Sequence, residues 1–450
     1  MPSQIQFVGD PFVDTGVAIL EYRIGMECGR FSESDVEGQA KELEAVYSQK
    51  AWMSYLTVHF PNSCWCNFTM GVDKKKQQRD SLLRAFDRPF LPGRSCAYCQ
   101  RDAQHMADRS AIPLLTGATT MTSGPGGEPG LPVCSACLFA IQFYPLATLK
   151  VNGRPLFWWT PHHKWMYLLS SHFARRVSKI VEGSPEQVPS VGWPSTQLFE
   201  TAETVIRETD ASGNELPLVD LVGCHATNYG SGPDYEEIRI RHGVLDFLRS
   251  AQQYPAYRTI RDKAWESITP KAKRGAAKPE KEKPDRGRRN FFFEELGNQL
   301  RATPDRPVKM LARYFRPRAG RDPGVFELAC LFSRKVLQMT AEQVAAIKEL
   351  ADQIATSAKA DDHLGRLFQT RKFASYVRSL TEIDDRMKRA GEKPLAMDTI
   401  LKAFDLVSED DGLGRNGALV WELLLIRLIE VLPQERLKAI PELQLESTEE

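Results

Sequence analysis

The sequence has no stretch of apolar residues long enough to cross a bilayer. Its most apolar run, Leu419 to Leu432, is interrupted by Glu422, Arg427 and Glu430 and reads as a buried helix. The opening Met1-Pro-Ser-Gln-Ile-Gln lacks a basic segment followed by an apolar one, so no secretory signal is expected. The cysteine count, 9, is odd, which speaks against a closed disulfide framework and for a reducing cytoplasm. Charge of one sign is also missing overall, because 59 Lys and Arg balance 58 Asp and Glu. No Walker A loop, HExxH, GxSxG, kinase set or dinucleotide fingerprint is present, and no paired-carboxylate motif lies near the cysteines.

What the chain does have is two CxxC knuckles, Cys96-Ala-Tyr-Cys99 and Cys134-Ser-Ala-Cys137. Two thiolates at that spacing grip one side of a tetrahedral ion, and a second pair closes the shell. The pattern predicts a zinc site held by Cys96, Cys99, Cys134 and Cys137. Four protein ligands leave no open position for water or substrate, so the predicted Zn2+ is structural. The 34 residues between the knuckles exceed a short finger. A turn-rich insert, Thr122 to Gly130, suits a ribbon carrying a loop.

A length of 450 residues predicts more than one domain. The expected fold is α+β: an N-terminal mixed body over 1–260 with an inserted zinc ribbon at 89–146, a basic linker over 261–325, and a C-terminal helical bundle over 326–450. In the body, Gln6–Leu20 reads as a strand and turn entering a helix, and Ser34–Leu56 as a helix. Tyr55–Phe60 and Cys64–Met70 read as strands about a Pro61-Asn62-Ser63 turn, with Cys64 and Cys66 as small core residues rather than ligands. Thr201–Ile206 and Leu216–Val222 resemble strands, and Val244–Arg261 a helix. Further on, Thr340 with Gln343 forms a capping box. Helices follow near Leu364–Arg389, Ala396–Ser408 and Gly417–Val431, and their short connections imply a bundle.

Charge is unevenly spread. Arg258 to Arg321 holds 19 Lys and Arg against 8 Asp and Glu, whereas Thr340 to Glu450 holds 15 against 21. A basic middle predicts a polyanionic partner, and Lys271–Asn290, nearly free of apolar residues, predicts a mobile linker. Lys74, Lys75, Lys76 and Arg79, with Arg286, Arg288 and Arg289, are candidates to neutralise phosphates. The same lysines equally suit a solvated helix face. A loop rich in glycine and polar groups contains Asn228, Tyr229, Gly230, Ser231 and Gly232. Its glycines allow close backbone approach, and its amide and hydroxyl can read base edges.

Several motifs now line up. Gly9-Asp-Pro-Phe-Val-Asp-Thr-Gly16, the two knuckles with Tyr144-Pro-Leu146 after the second, and Asn228-Tyr-Gly-Ser-Gly-Pro233 stand in that order before a helical tail. In this the chain resembles the large subunit of the type I-B CRISPR Cascade complex. The resemblance implies a non-catalytic subunit that inspects double-stranded DNA for a protospacer-adjacent motif, aids unwinding and stabilises the R-loop. It also implies a guide-RNA ribonucleoprotein with backbone subunits as partner, a recruited helicase-nuclease or transposition factor, and no membrane. Tyr229 would then stack on a base or wedge a step. Met310 and Met339 are candidate internal starts for a separate small subunit. The alternative is an HNH-type endonuclease braced by the zinc, using His105 or the His162-His163 pair. Such a nuclease wants more histidine or asparagine ligands around the knuckles than this sequence supplies.

Overall fold

The computed structural model describes residues 4–84, 86–115, 130–184, 186–227, 234–266, 289–299, 306–357, 361–369, 373–405 and 417–440. Helices dominate, accompanied by small antiparallel sheets. The chain divides into two compact units, residues 1–242 with 266–289, and residues 243–265 with 290–450. Residues 267–288 and 300–305 of the expected basic linker over 261–325, the polar loop at 228–233 and most of the 122–130 insert lie outside the described residues.

The first unit is organised around α1, Pro11–Ile24. Asp10 caps it by accepting from the backbone N–H of Phe12 (2.9 Å) and Val13 (3.0 Å), and Pro11 supplies a preset first turn. Residues Phe12 through Glu21 are buried, so the helix is a core element and not an amphipathic surface one. The expected strand before it does not form. The Asp10 cap and Pro11 start the helix at once, and an apolar run surrounded by core is as compatible with helix as with strand.

Around α1 lie α2 (Glu33–Tyr47), α3 (Lys50–Leu56) and α4 (Val72–Leu83). The single helix expected over 34–56 breaks at Ser48 and Gln49, where Gln49 is extended. Beyond α3, the two expected strands are instead successive turns, closed by Phe60 N–H to Leu56 O (2.8 Å) and Asn67 N–H to Ser63 O (2.9 Å). Asn62 adopts a left-handed φ of 63° that reverses the chain there. Cys64 and Cys66 are buried free thiols in this turn region, as the core reading expects.

Next come β1 (His105–Ala107), β2 (Leu131–Val133) and α5 (Ser135–Phe143). Then follow β3 (Leu149–Val151), β4 (Arg154–Trp159), α6 (His163–Gly183), α7 (Pro194–Ala211), β5 (Leu221–Thr227) and β6 (Asp234–Ile240). Strands β3-β4-β5-β6 form one antiparallel sheet, with Leu156 opposite His225 and Thr227 opposite Asp234. Thr201–Ile206 lies inside α7. Its threonines fit a helix because Thr204 Oγ1 and Thr209 Oγ1 donate back to the carbonyls of Glu200 and Val205. The strand expected from Leu216 begins only at Leu221, where pairing with β6 starts.

The helix α1 packs on α5, α6 and β4. It meets α5 so closely that a Cβ placed on Gly16 would stand 1.9 Å from the Ala140 carbonyl oxygen. Asp14, buried, accepts from the N–H groups of Val8 (2.7 Å) and Gly9 (3.1 Å) and from Trp159 Nε1 (3.1 Å). Burial nevertheless pushes its carboxyl up to about 6, against the lowering by those donors. Behind the second knuckle, Tyr144 donates to or accepts from His59 Nδ1 (2.7 Å) and packs edge-on against Phe12, Phe60 and Phe157. Burial, with Lys150 assisting, holds His59 neutral, its pKa down to about 3.

The second unit is helical. It holds α8 (His242–Ala251), α9 (Pro255–Lys263), α10 (Phe291–Gln299), α11 (Arg306–Met310), α12 (Val325–Lys335) and α13 (Ala341–Thr356). These are followed by α14 (Asp361–Gln369), α15 (Phe373–Arg389), α16 (Met397–Phe404), α17 (Gly417–Val431) and α18 (Gln434–Lys438). The one helix expected over 244–261 is two, because Pro255 lacks an N–H and starts a new helix. The Thr340–Gln343 capping box forms, with Thr340 Oγ1 accepting from Gln343 N–H at 3.1 Å and Gln343 Oε1 accepting from Thr340 N–H at 2.9 Å. The apolar α17 is buried nearly all round, with Trp421 stacked on Tyr376 at 4.3 Å. Its interrupting charges are compensated: Glu422 meets Arg316 at 3.1 Å, and Arg427 bridges Asp352 and Glu430. Among the described residues no helix is long and apolar enough to cross a membrane.

Candidate metal centre

The first knuckle is a tight turn. Cys96 N–H donates to Arg101 O (2.6 Å), Gln100 N–H returns to Cys96 O (3.0 Å), and Gln100 takes a left-handed φ of 62°. Ala97 N–H and Gln104 N–H then donate to Pro132 O (2.8 Å) and Val133 O (3.0 Å), tying this turn to the strand that leads into the second knuckle. Pairing of β1 with β2, His105 opposite Val133, completes the clasp. The second knuckle is a helix start. Cys134 is the N-cap of α5, its Sγ accepting from Cys137 N–H at 3.5 Å, and Cys137 lies in the first turn.

These elements bring the four sulfurs within 4.8 Å of one another. The Cys99 and Cys134 sulfurs are 3.5 Å apart, far beyond a disulfide bond, and all four cysteines are free thiols. A tetrahedral ion with metal–sulfur bonds of about 2.3 Å needs its sulfurs about 3.8 Å apart, so the residues present fit such an ion. Cys96, Cys134 and Cys137 are buried and Cys99 half-buried. Hydrogen bonding from Cys134, then Cys137, holds Cys99 far below the usual thiol range, and Arg101 Nε adds a charged donor to its sulfur at 3.2 Å. Cys96 falls to about 6, chiefly through its bond to Cys134. Cys137 is pushed up, first by its bond to Cys134. Four crowded sulfurs cannot all ionise without a cation among them, which is the condition a metal removes.

The histidines near the centre have other employment. His105 Nε2 lies 2.8 Å from Ser135 Oγ and its Nδ1 3.4 Å from Arg88 Nη1. A guanidinium only donates, so Nδ1 accepts and the proton sits on Nε2, facing the serine. In that tautomer the imidazole cannot take the serine proton. Burial, aided by Arg88, lowers the His105 pKa to about 4. His162 caps α6 through Nδ1, and His163 Nε2 pairs with the buried Glu21 at 2.7 Å. Among the described residues, the four cysteines are the one group of three or more His, Cys, Asp or Glu able to hold a metal.

The predicted phosphate-binding residues are placed unevenly. Lys74 and Lys76 are exposed on α4, with Lys75 and Arg79 half-buried. Arg289 stacks over the Trp193 ring at 4.1 Å. Arg286, Arg288 and Asn228 through Gly232 lie outside the described residues. Arg88 and Arg109 had no sequence signal. Arg101 follows Cys99 by two residues, and the Cys-x-Arg spacing is the trace that points to it. No family model, characterised protein or solved structure matches the chain.

Proposed function

We propose that the protein is a zinc-braced, non-catalytic DNA-recognition subunit of a type I CRISPR RNA-guided complex, acting in the cytoplasm. The observation carrying this reading is the convergence of the resembling motifs in one unit. Gly16 of the first motif meets Ala140 of the helix that Cys134 caps, and Tyr144 at that helix's end packs on Phe12. The third motif, residues 228–233, joins β5 to β6, in the sheet whose β4 packs on α1. The first two motifs, far apart in sequence, thus pack on one another.

In this reading the four-thiolate centre holds Zn2+ and does no chemistry, since it fixes the turn at Cys96 to the start of α5. Asn228, Tyr229, Gly230, Ser231 and Gly232 read the protospacer-adjacent motif. The bundle lies along the guide–target duplex, and sequence specificity comes from the guide. The zinc-bearing first unit and the helical second unit are its working parts.

The test is co-purification. The tagged chain, expressed with its neighbouring genes, is expected to bring down repeat-derived guide RNA and backbone subunits. A lone protein that nicks DNA with added divalent metal would overturn the proposal. Asn228→Ala is expected to weaken binding of motif-bearing duplex more than motif-free duplex; equal losses would remove the loop from the reading. Elemental analysis decides zinc against iron, the other ion that four thiolates suit.

A further inference from the structure

Of the cavities bordering α4 in the first unit, two differ sharply in charge. The one lined by Asp73, Asp80, Asp87, Lys76, Arg84 and Arg88 sets carboxylates against an equal number of cations, and Arg84 already pairs with Asp80 and Glu44. The other, about 560 Å³, is walled by Lys74, Arg88 and Arg109, with Asp108 as its one carboxylate. Asp108 is committed to its own turn, where Oδ1 accepts from Ser110 N–H (2.8 Å) and Ser110 Oγ (2.6 Å). Among the described residues, none of Lys74, Arg88 and Arg109 has a carboxylate within ion-pair distance. Arg109 Nε is shielded from water and has no hydrogen-bond partner. Asn62, Asn67, Gln77 and Ser81 add neutral donors to the wall. Lys74 and Arg88 are exposed and Arg109 half-buried, so the wall presents three cations to whatever enters the cavity. Phe68, which follows the lining residue Asn67 in the chain, is 76 % exposed, an unusual position for so large an apolar ring.

We infer that this cavity binds a backbone phosphate of a single-stranded nucleic acid, with Lys74, Arg88 and Arg109 on the phosphate and Phe68 as the platform for an adjacent base. A basic groove edged by an aromatic ring is the combination that holds single strands without reading sequence. The inference does not rest on the proposed complex, because it concerns the chain by itself. It also divides the lysine cluster: Lys74 serves the site, Lys75 lines neither cavity, and Lys76 belongs to the charge-balanced one.

The probe is a fluorescein-labelled deoxythymidine oligonucleotide, titrated with the full-length chain by anisotropy at several salt concentrations. Lys74→Gln with Arg109→Gln is expected to weaken binding about tenfold or more and to lower the salt slope by up to about 0.7, the contribution of one single-strand phosphate contact. Phe68→Ala is expected to weaken it about tenfold with the slope unchanged. Lys75→Gln, which removes the same charge one residue away, should leave binding near the parent value. Equal losses in Lys75→Gln and Lys74→Gln would mean diffuse attraction and overturn the site. Displacement of the oligonucleotide by inorganic phosphate at constant ionic strength would reassign the cavity to a small phosphate and overturn the strand reading. Should the double variant fold poorly by circular dichroism, Lys74→Gln alone, an exposed change on α4, decides by weaker binding than Lys75→Gln at equal salt.

Discussion

Gly16→Ala tests the central packing of the first unit. The added Cβ would stand 1.9 Å from the Ala140 carbonyl oxygen and 2.5 Å from its carbon, both backbone atoms. Real Cβ contacts do not fall under 3.0 Å, so α1 and α5 must separate by at least about 1.1 Å along that line. Neither helix can rotate away, because α1 is buried from Phe12 to Glu21 and α5 along its whole length. Overpacking of this kind costs about 1–3 kcal/mol. The opened seam adds to it, since a gap of about 0.5–1 Å forfeits a quarter to a half of each contact's dispersion energy. Alanine's better helix propensity returns about 1 kcal/mol. A net loss of about 2 kcal/mol is expected, which lowers the melting temperature of a unit this size by roughly 4–8 °C.

The same displacement has a chemical readout. Because α5 carries Cys137 and is capped by Cys134, moving it loosens the second knuckle. Gly16→Ala is therefore expected to release metal faster to a chromogenic chelator. Gly38→Ala is the control, since Gly38 lies within α2 with nothing within 4 Å of its added Cβ. It should stabilise by up to about 1 kcal/mol. A Gly16→Ala protein with unchanged melting and metal release would refute the packing argument.

Cys137→Ser removes one thiolate from the cluster. Metal content by elemental analysis is expected to fall well below the parent, with thermal stability of the first unit falling alongside. Asp14 gives a pH signature. Its folded pKa of about 6 lies above the ordinary 3.8, so the stability it contributes is full below about pH 4 and is lost as pH rises through 6. That span is about 3 kcal/mol, and Asp14→Asn should flatten it in urea titrations at pH 4.5, 6 and 7; a parent-like pH profile in the variant would contradict the assignment. Thr340→Ala removes half of the capping box on α13 and is expected to cost about 1 kcal/mol in the second unit, read from its denaturation midpoint.

Some of this was legible in the residues. The doubled CxxC spacing pointed to the cluster, because a knuckle is a local turn and its geometry is encoded within a few residues. The Thr340 capping box and the Gly417–Val431 helix were legible for the same reason, resting on contacts three or four residues apart. The misread elements share a different cause. Gln6–Leu20 and Thr201–Ile206 are apolar or β-branched segments buried on several sides, where the helical period disappears from the pattern. At Tyr55–Met70, alternation of Cys64, Trp65 and Cys66 imitated a strand, while the left-handed Asn62 and a chain of turn hydrogen bonds built something else.

The sequence by itself determined the four cysteines of the candidate metal centre, the helix caps and the balance of charge, since each is a property of residue type and short spacing. Only the tertiary structure decided which cations stand without a counter-charge and which histidines are already spent. Lys74, Arg88 and Arg109 come together because α4 and two separate turns wall one cavity, and His105 is turned into an acceptor by an arginine on another segment. Electrostatic attraction and hydrogen bonding act through space over a few ångströms, and no reading of neighbours along the chain can supply those distances.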